Sequence, residues 1–370
     1  MSQDQERTRA HLTESRLFAK VYGCLIGGAI GDALGGPVEG WTPAQMRHTY
    51  GVVDRFVPYR RDPSYHAHFG EGERIGAYTD DTRLKHLLCR AIIAAQGMPR
   101  PGDFGHVLAH AYHHAPDALT EGFIEEYYLK AIWGRDKVIY SGEPTNGAIM
   151  ANSPVGIMAA CRPHAAYQAA FDLAFPTDGY AKTAAAMMAA AIADAMGPDP
   201  TIDSVSDAAV ASHLAFNRRR EGPVWSTLEW RYDPNISFLR LALVAAAECK
   251  DVFALQPRLY EILEWGHLFS EATHTLVVPL AMFAAAHGDF RQTVIGCVMY
   301  GRDNDSYASV AGALAGAFHG VEAIPPAWIE TVSAANPEVD MRSLALQLTE
   351  ILVARHEEAC AEVNAFQALL

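Results

Sequence analysis

The sequence predicts an all-α protein built as one compact multi-helix bundle. Three observations carry that expectation. Alanine is abundant with apolar residues at helical spacing, β-branched alternation is scarce, and no segment has a strand–helix–strand rhythm. A chain of 370 residues would by length alone divide into two or three domains. No Gly/Ser-rich linker or low-complexity run divides it, so we expect a polar N-terminal tail over 1–14 and a single helical domain over 15–370.

The elements follow in order. Leu17–Ile30 reads as a first helix, and its glycine register continues through Gly27, Gly31 and Gly35, every fourth residue, which forms a groove for close backbone approach. Residues 50–78 are rich in Gly, Pro, Arg and aromatics without periodicity, and are expected to form a long ordered loop. Arg83–Ala95 is expected as a helix with Asp80 and Asp81 at its start. Helices are further expected over Ala165–Ala174, Tyr180–Met196, Ser204–Asn217, Phe238–Cys249, Pro257–Leu268, Thr273–Ala286, Phe290–Tyr300, Tyr307–Phe318 and Ser343–Phe366. Short Gly, Pro or Asp turns separate them.

Half of the residues are apolar and 19% charged, which is ample for a core and excludes global disorder. A net charge of −14 opposes non-specific attraction to nucleic acid or anionic membrane. The six cysteines are scattered without a CxxC pair, which speaks against a zinc ribbon or a disulfide scaffold. The N-terminus has no apolar signal region, and the longest strongly apolar stretches, Leu276–Ala286 and Ala184–Ala193, are too short to span a bilayer. A soluble cytoplasmic protein is expected.

Chemistry concentrates in oxygen-rich clusters. Asp32 lies inside an otherwise apolar glycine helix, where a carboxylate is costly unless paired or metal-bound. Thr79-Asp80-Asp81-Thr82 opens one helix and Asp303-Asn304-Asp305-Ser306 opens another, and each suits either a hard cation or an ordinary helix cap. His106, His110 and His114 share one helical face, although exposed histidines explain them better than a zinc site. There is no GxSxG elbow and no HExxH, so any hydrolysis would run through activated water.

Taken in order, Gly31-Asp32-Ala33-Leu34-Gly35 with Pro37 and Glu39, then Thr79-Asp80-Asp81-Thr82, Asn146-Gly147-Ala148 and Asp303-x-Asp305-Ser306 resemble the ADP-ribosylglycohydrolase family. The similarity spans about residues 17 to 335. The resemblance implies an all-α fold with a binuclear magnesium or manganese centre that hydrolyses the glycosidic bond at ribose C1 of ADP-ribosylated protein or a small ribosyl substrate. It assigns Thr79, Asp80, Asp81, Asp303, Asp305 and Ser306 to the metals, and Glu143, Asp80 and Asp303 to catalysis, with Glu143 as the acid that activates water. Glu39, Asn146, Gly147 and Arg302 fall to substrate binding, with Glu39 also within reach of the metals.

Arg302 stands where members usually carry glycine, and Ala151 where they commonly carry arginine. Arg302 can contact an anionic substrate group, occupy a metal position or point away. A catalytically silent ADP-ribose-binding relative, or a hydrolase of a small N-riboside, is the alternative reading.

Overall fold

The structure is a computed structural model that describes residues 9–59, 74–114, 144–219, 233–264 and 269–370. In chain order its helices are α1 (Arg16–Gly35), α2 (Pro43–Tyr50), α3 (Asp80–Ala95), α4 (Pro101–His114), α5 (Gly147–Ala151), α6 (Ser153–Met158), α7 (Pro163–Leu173) and α8 (Tyr180–Ala195). There follow α9 (Ile202–Arg219), α10 (Asn235–Glu248), α11 (Val252–Ile262), α12 (Ala272–Ala285), α13 (Phe290–Tyr300), α14 (Asn304–His319), α15 (Pro326–Ala335) and α16 (Met341–Gln367). Among the described residues there is no strand, only one isolated antiparallel bridge between Thr145 and Glu271.

The bundle is organised around α1 and α14, which run antiparallel at very short range. A Cβ added to Gly23, Gly27, Gly31 or Gly35 would meet the backbone of Gly316, Gly312, Ala308 or Asp305 respectively. Only hydrogen on the α1 side allows this approach, so the glycine spacing sets the packing distance. The alanine-rich α8 packs on the other side against α7, α9, α6 and α12, where its small side chains let four neighbours close in. One contiguous apolar cluster runs through all of these helices. α1, continued to Val38, is also apolar and long enough to cross a membrane, a stretch longer than those expected from sequence, but 89% of its apolar window is buried inside the bundle.

Side chains cap several starts. Ser15 accepts from Phe18 N, Thr42 and Gln45 form a reciprocal capping box, and Asp251, Asp289 and Asp340 accept from the amide three residues on. The Asp251 cap moves one element from its expected place, since α11 begins at Val252 and carries Pro257 in its interior. The aspartate cap sets the start ahead of the proline. Residues 265–268 of that expected helix lie outside the described residues. The short helices α2, α5, α6 and α15 were not expected, because each is too brief for apolar periodicity. The described part of the polar tail, 9–14, is mostly helical, and Arg9 pairs with Glu350 of α16 at 2.5 Å.

Candidate metal centre

The C-terminal end of α1 and the N-terminal ends of α3 and α14 meet at one end of the bundle. Helix N-termini bring backbone N–H groups and a positive dipole end, so carboxylates are favoured there. Thr79 and Asp303 occupy the N-cap positions of α3 and α14, yet neither side chain makes the capping bond to its own helix. Both are buried. An ordinary solvated cap therefore does not account for them.

The loop before α14 brings the acids together. Gly301 has φ +82, and a Cβ there would lie 2.5 Å from Trp41 O, so glycine is required for the two segments to touch. Arg302 N donates to Trp41 O at 3.3 Å, and Gly40 N donates to Arg302 O at 2.7 Å. This two-bond clasp lays Glu39 beside the α14 start. As a result the carboxylates of Glu39, Asp303 and Asp305 offer oxygens within 4.8 Å of one another.

The α3 side closes the site. Ser306 Oγ donates to Asp81 Oδ2 at 3.1 Å, Ser306 N donates to Asp305 Oδ1 at 2.9 Å, and Thr79 Oγ1 lies 3.4 Å from Asp305 Oδ2. Asp81 Oδ1 is buried with no partner. Asn146 Nδ2 donates to Asp303 Oδ2 at 2.8 Å and to Thr275 Oγ1 at 3.1 Å, which anchors the Asp303 carboxylate to α12. Asp80, half-buried at the first position of α3, stands at the rim, and Gly147 is buried at the start of α5. Glu143 lies outside the described residues.

Burial raises the Asp81 and Asp305 carboxyls well above the usual range, and neighbouring carboxylates push them further: Asp32 and Asp80 on Asp81, Glu39 and Asp81 on Asp305. Burial also raises Asp303, opposed in part by the hydrogen bond it accepts from Asn146. The buried Lys85, one turn along α3 from Asp81, counters part of this, with Nζ donating to Ser309 Oγ. Lys85 was not singled out from sequence, nor was Tyr59, whose hydroxyl donates to Ala77 O at 2.9 Å and whose ionisation is suppressed by burial and by Asp32, Asp305 and Glu39. A lysine or tyrosine carries no local motif, so only the fold reveals them.

Three more residues stand around these clusters. Asp32, grouped in sequence with the acids that might hold a cation, has both carboxylate oxygens filled by Thr79 and Thr82. Arg302, left open in the sequence between substrate, metal and solvent, is half-buried, and its charge influences Tyr260, Glu271, His274, Tyr300 and Tyr307, burial being the larger influence on each. The fully buried Asn304 turns inward and donates to Val298 O at 2.8 Å. His106, His110 and His114 are exposed on α4, and His106 Nδ1 pairs with Gly102 O, as expected of surface histidines.

The donor set suits a hard divalent cation. It is made of carboxylate and hydroxyl oxygens, with no sulfur or imidazole among them. Buried carboxylates that repel one another, one with an unpartnered oxygen, are the arrangement that such an ion neutralises.

The chain is 26% identical to the uncharacterized protein YegU of Escherichia coli strain K12, over 90% of this chain and 96% of that protein. It is 22% identical to the ADP-ribosylhydrolase ARH3 of Mus musculus, over 85% and 87% respectively. A solved structure described as an ADP-ribosylglycohydrolase-related protein complex superposes with a TM-score of 0.56 at 23% identity, covering 91% of this chain and 99% of that one, and so shares the fold. The sequence profile described as ADP-ribosylglycohydrolase matches residues 13–361, and the chain belongs to that family.

Proposed function

We propose that the protein is a metal-dependent hydrolase of the glycosidic bond at ribose C1 in ADP-ribosylated or related ribosyl substrates. The observation that carries this reading is the convergence of Glu39, Asp303 and Asp305 opposite Asp81, whose Oδ1 lacks a partner. Thr79, Asp80, Asp81, Asp303, Asp305 and Ser306 would hold Mg²⁺ or Mn²⁺, two ions being the expected number. When bound, such ions polarise the sugar oxygens and make water more acidic.

The chain's own residues supply the rest. Asn146 keeps the Asp303 carboxylate oriented, and with Gly147 it borders the space where the ribose would lie. Asp80 and Glu39, neither of them fully buried, stand at the rim, where a carboxylate can take a proton from water or accept a hydrogen bond from a ribose hydroxyl. Glu143, three residues before Asn146, is assigned as the acid that activates water. Arg302 would contact an anionic group of the substrate. The bond breaks through an oxocarbenium-like state, whose positive charge an acidic surround stabilises.

The test is release of ADP-ribose from ADP-ribosylarginine protein and ADP-ribosylserine peptide, and of ribose from simple ribosides, with and without metal. No metal-dependent release from any of them would overturn the proposal.

A further inference from the structure

Asp32 sits in the last turn of α1 with no exposed surface, 47 residues away in sequence from the turn that it holds. Its Oδ1 accepts from Thr79 N and Thr79 Oγ1, both at 2.8 Å. Its Oδ2 accepts from Thr82 N at 3.0 Å and Thr82 Oγ1 at 2.5 Å. A carboxylate has about four acceptor positions, so all are in use and none is left for a cation.

Two consequences follow from these four bonds. First, Asp32 performs from another helix the capping that Thr79 does not perform for α3, satisfying two of the first amides of that helix. α1 is itself locked to α14, since Gly31 and Gly35 leave no room between Asp32's helix and Ala308 or Asp305. The Thr79–Asp81 turn is thereby referred to the same frame as Asp305. Second, the Thr79 hydroxyl has a single proton, and its shorter bond is to Asp32 at 2.8 Å rather than to Asp305 at 3.4 Å. The lone pairs of Thr79 Oγ1 are therefore left for the Asp305 side.

We propose that Asp32 is a positioning residue that pre-sets the Thr79–Thr82 turn before any cation arrives and turns the Thr79 hydroxyl so that its oxygen, not its proton, faces Asp305. The second half of this proposal rests on the reading of Thr79 as a metal ligand. Asp32→Asn keeps the shape but replaces one acceptor by a donor, so two of the four N–H or O–H groups lose their partner. Where the amide nitrogen faces Thr79, the hydroxyl proton swings to Asp305 Oδ2 and takes the oxygen that a cation needs.

The probe is Mn²⁺ alone, titrated by calorimetry into the full chain. Asp32→Asn is expected to weaken Mn²⁺ binding by about tenfold or more with the helical far-UV signal unchanged, as loss of an outer partner does at metal sites. Thr82→Val, which removes one hydroxyl on the other oxygen and leaves the Thr79 bonds, is expected to stay within about threefold. Equal Mn²⁺ affinity for wild type and Asp32→Asn would overturn the proposal. Amide hydrogen exchange of the wild-type chain in EDTA supplies a test that needs no variant. The Thr79 and Thr82 amides are expected to be protected without metal, and protection that arises only on adding Mn²⁺ would overturn the proposal. A wild-type chain that binds no Mn²⁺ but protects both amides would sink the metal reading while leaving the pre-set turn standing.

Discussion

Alanine placed at three glycines of α1 separates helix packing from cation binding. At Gly31 a Cβ would lie 1.9 Å from Ala308 O, and at Gly35 it would lie 2.4 Å from Asp305 Cα. At Gly28 the nearest atoms are Lys85 Nζ at 3.2 Å and Ser309 O at 3.3 Å. Ordinary contact begins near 3.5 Å, so Gly28→Ala asks for a few tenths of an ångström, Gly35→Ala for about 1 Å and Gly31→Ala for about 1.5 Å. Overpacking of this kind costs roughly 1–3 kcal/mol and more where backbone must move. Gly28→Ala recovers about 1 kcal/mol from helix propensity and should be close to neutral.

Gly31→Ala should be the least stable of the three by urea denaturation. Gly35→Ala should be distinctive in a different way, because the atom that must retreat belongs to Asp305. A displacement near 1 Å at a reacting site costs on the order of a hundredfold in rate, so its turnover and Mn²⁺ affinity should fall far more than its stability. If Gly35→Ala loses no more Mn²⁺ affinity than Gly28→Ala, the argument that α1 places the α14 acids is wrong.

Three further outcomes are expected. Asp305→Asn removes a carboxylate destabilised by burial and by Glu39, Asp81 and Asp303, so in EDTA its Tm should rise above wild type while the Mn²⁺-induced rise in Tm disappears; differential scanning fluorimetry reads both. The raised carboxyls of Asp81, Asp303 and Asp305 give a pH signature. Each binds its proton more tightly in the fold than in the unfolded chain, where the value is near 3.9, so this stabilisation is complete below about pH 4 and is lost as pH rises through the folded values. The Tm in EDTA should therefore fall as pH rises above about 4, and the gap to the Mn²⁺-loaded Tm should widen over the same range, since ligands bind metal deprotonated. Arg302 holds φ +60 in a non-glycine residue, so Arg302→Gly should raise the urea midpoint by the equivalent of about 1 kcal/mol, and an unchanged midpoint would show that the loop carries no strain.

The two ligand clusters were legible in sequence because each is local, with Thr79–Thr82 and Asp303–Ser306 each lying within four residues at a helix start. The long helices were legible for the same reason, since apolar periodicity needs only its own segment. The glycine register of α1 announced a close neighbour but could not name α14, because the partner lies some 270–290 residues away in the chain. Asp32 shows where that limit matters. A lone carboxylate in an apolar helix demands a partner, and whether this is a cation or two threonines on α3 is decided by tertiary structure alone. Lys85 and Tyr59 left no trace, as single residues whose role comes only from what the fold lays beside them.

The most direct test of the central claim is a single-turnover assay on ADP-ribosylated arginine and serine substrates and simple ribosides, with Mn²⁺ or with EDTA. The account predicts that the wild-type chain releases free ADP-ribose or ribose from at least one of them in the presence of Mn²⁺, that EDTA abolishes release, and that Asp303→Ala abolishes it with helicity intact. Release that is equal in EDTA and in Mn²⁺, or that survives Asp303→Ala, would contradict it.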